Sequence, residues 1–280
     1  DLKLLSLANE AGIRQNGARE VTEMWMAERE KRMTTKVDRS ARDRWLNPAT
    51  ASYYVPGVLC SGVWLMSGRG GAGKTNAAWA FASHFLSGKA LQSDEGNLTW
   101  EKGKVLWLTG DQPDPVTDDQ IRNYLTLEQC DGLRVENNFN INDYPTFMLL
   151  AQQHKPKLVV IDSLRSTHRG TGVNENDSEF ALPLRWYEQM MGQEGMFDPC
   201  MILVLHHSGH GRNGARGTSA LGDMTSFTMD FEIPGEKSSL NALKTRVATF
   251  KKHRFGLKDH QILCNLQDDG TVRLRYIGCP

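Results

Sequence analysis

Long apolar runs, an excess of one charge and paired cysteines are all missing from this chain of 280 residues. No apolar stretch approaches the ~20 residues that a membrane-spanning helix needs, so we expect no membrane partner. The 33 basic and 33 acidic side chains cancel, which removes the overall positive field that would by itself mark a binder of nucleic acid; such a partner would be met by a local patch. Cys60, Cys130, Cys200, Cys264 and Cys279 are odd in number, scattered and without a CxxC pair. That argues against a disulfide framework and a structural zinc site, and for a reducing compartment. Asp1-Leu2-Lys3 opens neither a signal peptide nor a natural start, so the expectation is a soluble, cytoplasmic chain cut from something longer.

What is present is ordinary globular material: 39% apolar and 24% charged residues, enough for a buried core and unlike disordered or fibrous chains. Residues 1 to about 50 are charged and rich in helix formers, with Val21, Met24, Trp25, Glu28 and Arg32 at helical spacing, and read as a helical linker or oligomerisation arm. The stretch 47–57, with Pro, Gly and paired Tyr, reads as a connection. From residue 51 onward the main domain alternates short apolar runs with helical patterns: 63–67 then 74–87, 105–109 then 115–126, 158–161 then 178–191, then 201–205. Such alternation predicts a largely parallel central sheet flanked by helices. After Phe227 the runs become closely spaced (227–233, 242–250, 261–266, 272–277), which predicts antiparallel strands finishing the sheet.

The segment Gly68-Arg69-Gly70-Gly71-Ala72-Gly73-Lys74-Thr75 matches GxxxxGK[ST], directly after the run Val63-Trp64-Leu65-Met66 and directly before a helical pattern opening at Asn76. Strand, glycine-rich turn and helix in that order form a P-loop: the backbone wraps a polyphosphate, Lys74 reaches its terminal oxygens and Thr75 ligates Mg2+. ATP with Mg2+ is the expected cofactor. The run Leu158-Val159-Val160-Ile161 ends in Asp162, where a buried strand would present a second magnesium-side acid. Val105 to Thr109 likewise runs into Asp111, which either orients the attacking water or caps the following helix.

The order of these segments, followed by Leu203-Val204-Leu205-His206-His207, Ala215-Arg216-Gly217-Thr218-Ser219-Ala220-Leu221 and Lys252-His253-Arg254-Phe255-Gly256, resembles the RecA-like ring ATPases. Within these it is most similar to hexameric replicative helicases of the DnaB and plasmid RepA type, including the helicase halves of phage primase-helicases. The resemblance implies a RecA-like α/β P-loop domain over 51–280. It also implies that Lys74, Thr75 and Asp162 hold nucleotide and metal and that Asp111 stands where the family usually has a catalytic Glu. His206 or His207 would sense the γ-phosphate, and Lys252 and Arg254 would enter the neighbouring subunit's site.

The loop from His206 to Gly222 carries Arg212 and Arg216, five glycines and no acid. In the family it corresponds to a DNA-contacting loop, and Arg165 and Arg169 resemble a second one; a plain solvated loop is the other reading of the same composition. The implied function is an ATP-driven translocase on single-stranded DNA, working as a homohexamer with a primase domain or partner possible. The alternative is a slow ATPase serving as nucleotide switch or loader, which the shorter Asp111 permits. A small-molecule kinase is disfavoured, since no segment reads as a lid.

Overall fold

The computed structural model describes residues 40–48, 50–168, 172–192, 196–207, 219–234, 244–269 and 271–279. Two compact units divide between Ala51 and Ser52. In the first, the described residues form the short helix α1 (Ala41–Leu46), whose N-cap Ser40 accepts a hydrogen bond from the Asp43 amide; the remainder of the expected arm lies outside the described residues.

The second unit opens with a hairpin of β1 (Tyr53–Val55) and β2 (Leu59–Cys60), where the sequence reads a plain connection. Tyr54 and Val55 are buried there, and Pro56-Gly57 makes the turn between the two strands, with Gly57 at φ of 72°. The chain continues through β3 (Gly62–Gly68), α2 (Lys74–Ser87), β4 (Leu91–Ser93), β5 (Gly96–Leu98), β6 (Val105–Thr109), α3 (Asp114–Tyr124), α4 (Leu127–Cys130) and β7 (Leu133–Glu136). It then runs through α5 (Tyr144–His154), β8 (Leu158–Asp162), α6 (Leu164–Thr167), α7 (Leu182–Met190) and β9 (Met201–His207). It ends with α8 (Ala220–Asp223), β10 (Phe227–Glu232), β11 (Thr245–His253), β12 (Gln261–Leu266) and β13 (Val272–Gly278). The helical pattern over 178–191 divides into a 3-10 turn and α7, because Pro183 suits the first turn of a helix and cannot sit inside one.

Eleven strands form one sheet in the order β5-β4-β13-β12-β11-β10-β3-β9-β8-β6-β7. From β10 to β7 every neighbouring pair is parallel. All seven residues of β3 and all five of β6 are buried, successive side chains alike. Since successive strand side chains point to opposite faces, both faces are covered. Strands β12 and β13 instead mix buried and open positions, as antiparallel strands with one wetter face do.

Parallel direction brings the ends of β3, β9, β8 and β6 to one edge: Gly68 lies opposite His207, and Thr109 opposite Asp162. Helix α2 packs against β6, β8 and β9, anchored by the stack of Trp79 on Trp107 with ring centroids 3.8 Å apart. Both indoles are fully buried. Trp107→Ala should cost about 3–5 kcal/mol, as truncation of a core tryptophan does. Urea denaturation checks this, and a loss below about 1 kcal/mol would show that the stack does not anchor α2.

Candidate nucleotide site

At the carboxyl edge of β3 the chain must turn at once into α2, and the turn is made by glycines. Gly71 and Gly73 adopt φ of 72° and 91°, the left-handed region that side chains disfavour. Gly68 is required for another reason: a Cβ there would lie 2.4 Å from the Phe231 carbonyl oxygen of β10. Gly73 is the N-cap of α2 and makes no side-chain cap, so the first amides of the helix face the turn with the positive end of the helix behind them. The sequence-derived set Gly68, Arg69, Gly70, Gly71, Ala72, Gly73, Lys74, Thr75 and Asn76 is therefore one continuous loop-to-helix surface.

Lys74 is buried, and its Nζ donates to the carbonyls of Gly68 and Arg69 at 2.8 and 3.0 Å. Burial lowers its pKa to about 8, with the Asp162 charge acting in the opposite sense; it stays mainly cationic at neutral pH. Thr75 Oγ1 donates to Asp162 Oδ2 at 2.9 Å, so the two residues expected to hold the metal converge although 87 positions apart. The Asp162–Ser163 peptide bond is cis. Burial pushes the Asp162 pKa up to about 6, helped by the charge of Asp111 and opposed by the Thr75 hydrogen bond and by Lys74. A hydroxyl and a carboxylate side by side are the hard oxygen donors that Mg2+ takes, together with phosphate oxygens, and the amide-lined turn suits a polyphosphate. Residues and cofactor thus fit. Among the described residues, no group of three or more His, Cys, Asp or Glu side chains is placed to hold a metal by itself.

Asp111 is exposed, two residues beyond the Thr109–Asp162 pair. Its approach is fixed from both sides. A Cβ at Gly110 would lie 2.2 Å from the Ser166 backbone, and Gln112 Nε2 donates to Gln120 Oε1 of α3 at 2.6 Å, an oxygen that also accepts from Trp79 Nε1. The two histidines closing β9 face opposite ways, as alternation requires. His207 is exposed beside the phosphate loop, its Nδ1 3.9 Å from where a Cβ on Gly70 would stand. His206 is buried, its ring 6.1 Å from that of Phe180. His207 is thus the histidine that borders the phosphate turn.

One residue that sequence reading missed belongs here. Arg246 Nε donates to the Ala72 carbonyl of the phosphate loop at 2.9 Å. No motif spacing marks it, because the contact joins residues 174 apart. Lys252 and Arg254 stand at the other edge of the sheet. Strand β11 runs antiparallel to β10, so His253 lies opposite Phe227 while Val247 lies opposite Glu232. Arg165 is paired with Glu175 at 3.4 Å; Arg169, Arg212 and Arg216 lie outside the described residues.

Sheet order, glycine turn and the Thr75–Asp162 pair define a RecA-like P-loop ATPase. The chain belongs to the AAA domain family, whose model matches residues 26–213. No curated protein matches it. Among solved structures it is similar to the flagellar accessory protein FlaH from Methanocaldococcus jannaschii, with a TM-score of 0.52 and 10% identity over 86% of this chain and 97% of that one. It is similar also to a KaiC-like protein from Pyrococcus horikoshii, with a TM-score of 0.57 and 14% identity over 82% of this chain and 99% of that one. At such identities the likeness is one of fold.

Lys74→Ala should abolish ATP turnover, because in such a turn the lysine is the cation that reaches the terminal phosphates; retained turnover would displace the reaction from this loop. Asp162 carries a pH signature. Its folded pKa, about 6, lies above its ordinary 3.8, so the native chain binds the extra proton between those values and stability falls as pH rises through that window. The nucleotide-free protein should lose up to ~3 kcal/mol across it relative to Asp162→Asn, measured by urea titration at pH 4 and 7. Parallel pH profiles in the two proteins would refute the assignment.

Proposed function

We propose that the chain is an ATP-driven translocase on single-stranded DNA, working as a ring in which each nucleotide site is completed by Arg254 of a neighbouring copy. The observation that carries this reading is the position of Arg254. It is exposed at the sheet edge opposite its own phosphate loop, with Nε on Ser226 Oγ at 3.0 Å. An arginine so placed is out of reach of its own site and free to serve another, where a guanidinium stabilises charge on a transferring phosphoryl group.

Within one site, the turn amides and Lys74 bind and orient the phosphates, Thr75 and Asp162 hold the cation, and Asp111 orients the attacking water. Bound Mg-ATP supplies the phosphoryl group and the charge that the cation neutralises. His207, at the end of the strand between the phosphate loop and Asp162, is the group we assign to sensing the γ-phosphate. Backbone contacts from Arg165, Arg169, Arg212 and Arg216 would be sequence-tolerant and salt-sensitive.

The second reading, a slow nucleotide switch or loader, is favoured by Asp111 itself, an exposed acid one methylene shorter than Glu. ATP hydrolysis with and without single-stranded DNA, read beside the oligomer mass, separates the two. The motor predicts a ring and many-fold stimulation; unstimulated turnover with ATP-dependent protein binding supports the switch. For the finger, Lys74→Ala and Arg254→Ala should each be inactive alone. Mixed in equal amounts they should regain activity at about a quarter of the interfaces, where an intact loop meets an intact arginine. Absence of any recovery would remove the trans role.

A further inference from the structure

Lys252 and Arg254, two residues apart and alike in charge, have opposite surroundings. Arg254 is exposed. Lys252 is turned back onto its own subunit, where Nζ donates to the carbonyls of Gly222 and Thr225, each at 2.6 Å. Those carbonyls lie in the last turn of α8 and in the link from it into β10, and this 222–226 segment is gripped twice more. The Ser226 amide donates to Glu188 Oε1 at 2.7 Å, and Ser226 Oγ accepts from Arg254. Glu188 Oε1 also accepts from the Val63 amide at 3.0 Å, at the start of the strand whose far end is the phosphate loop. Thr225 closes the turn internally through Oγ1 on the Leu221 carbonyl at 3.1 Å.

An ammonium that gives two of its three donors to backbone carbonyls must break both bonds to reach outward, and bonds to a charged donor are the stronger kind. We propose that Lys252 is a positioning residue acting within its own subunit: it seats the 222–226 turn against β11, so that Arg254 and the start of β10 are held as one piece. The consequence is a continuous chain of hydrogen bonds from Arg254 through Ser226 and Glu188 to the strand that carries the subunit's own phosphate loop. The residues on the trans edge are thereby tied to the cis site. The step from positioning to turnover rests on the reading of Arg254 as a trans finger; the seating of the turn does not.

The test compares Lys252→Met and Lys252→Arg in the assembled protein by amide hydrogen exchange and steady-state ATP hydrolysis. Lys252→Met should speed exchange over 222–226 by about tenfold or more while leaving 105–109 and 158–162 unchanged. It should lower kcat severalfold with the KM for ATP unaltered. Lys252→Arg, which can still donate to both carbonyls, should restore both measures. Wild-type exchange over 222–226 in the methionine variant, with kcat lost, would overturn the proposal and make Lys252 a cation acting on the neighbour; so would failure of Arg to restore exchange. If the methionine variant loses protection at 105–109 as well, Lys252→Gln, which is shorter and uncharged, takes its place with the same expectations. Full turnover by Arg254→Ala would sink the trans-finger reading alone, leaving the exchange result to decide Lys252.

Discussion

A helix begins where a buried parallel strand stops, and the rest of the site follows from that junction. Strand β3 is covered along its whole length, so its end is fixed by core packing rather than by loop chemistry. The chain then enters α2 within a few residues, and the unpaired amides of the first turn look into the space beyond the sheet edge. Gly68 makes the junction possible by letting the Phe231 carbonyl pass where a side chain would stand. Lys74 and Asp162 meet in the same poorly solvated spot, and burial drives them in opposite directions, the lysine down to about 8 and the acid up to about 6. Neither charge is comfortable there with protein groups alone. A polyphosphate for the one and a divalent cation for the other would supply the missing counter-charges.

Strand direction performs a second task. Arg246 lies near the start of β11 and Arg254 just past its end, so they stand at opposite edges of one sheet, and because β11 reverses the direction of β10 it is Arg246 that comes to the phosphate loop. Arg246 braces the phosphate loop through Ala72, and Arg254 faces outward at the far side. The hydrogen bonds that join Ser226, Glu188 and Val63 lie at the same edge as Arg254, and β3 runs from there to the phosphate loop.

Much of this was open to reading in the sequence. Strands covered on both faces announce themselves as uninterrupted apolar runs, which is why β3, β6, β8 and β9 were legible within a residue or two at most ends. The glycine turn was legible because its chemistry is local: strand, loop and helix are contiguous, and each residue type answers to one backbone or phosphate requirement. Short or half-exposed elements were not. Strand β7 reads Leu133-Arg134-Val135-Glu136 at the sheet margin, and β4 and β5 are three residues each. Helix α5 opens on Tyr144-Pro145 behind an Asp143 cap, a start easily taken for a turn.

The amino-acid order by itself determined the phosphate-binding turn, the parallel core and the acids at strand ends, since these depend on periodicity and on neighbours a few positions away. Only the tertiary structure decided that His207 rather than His206 borders the turn, that Arg246 braces it, and that Lys252 turns inward while Arg254 turns out. Each of those outcomes depends on strand register and direction across a wide sheet. A shift of one residue exchanges the faces, and a reversal exchanges the edges, and no local pattern in a single strand records either.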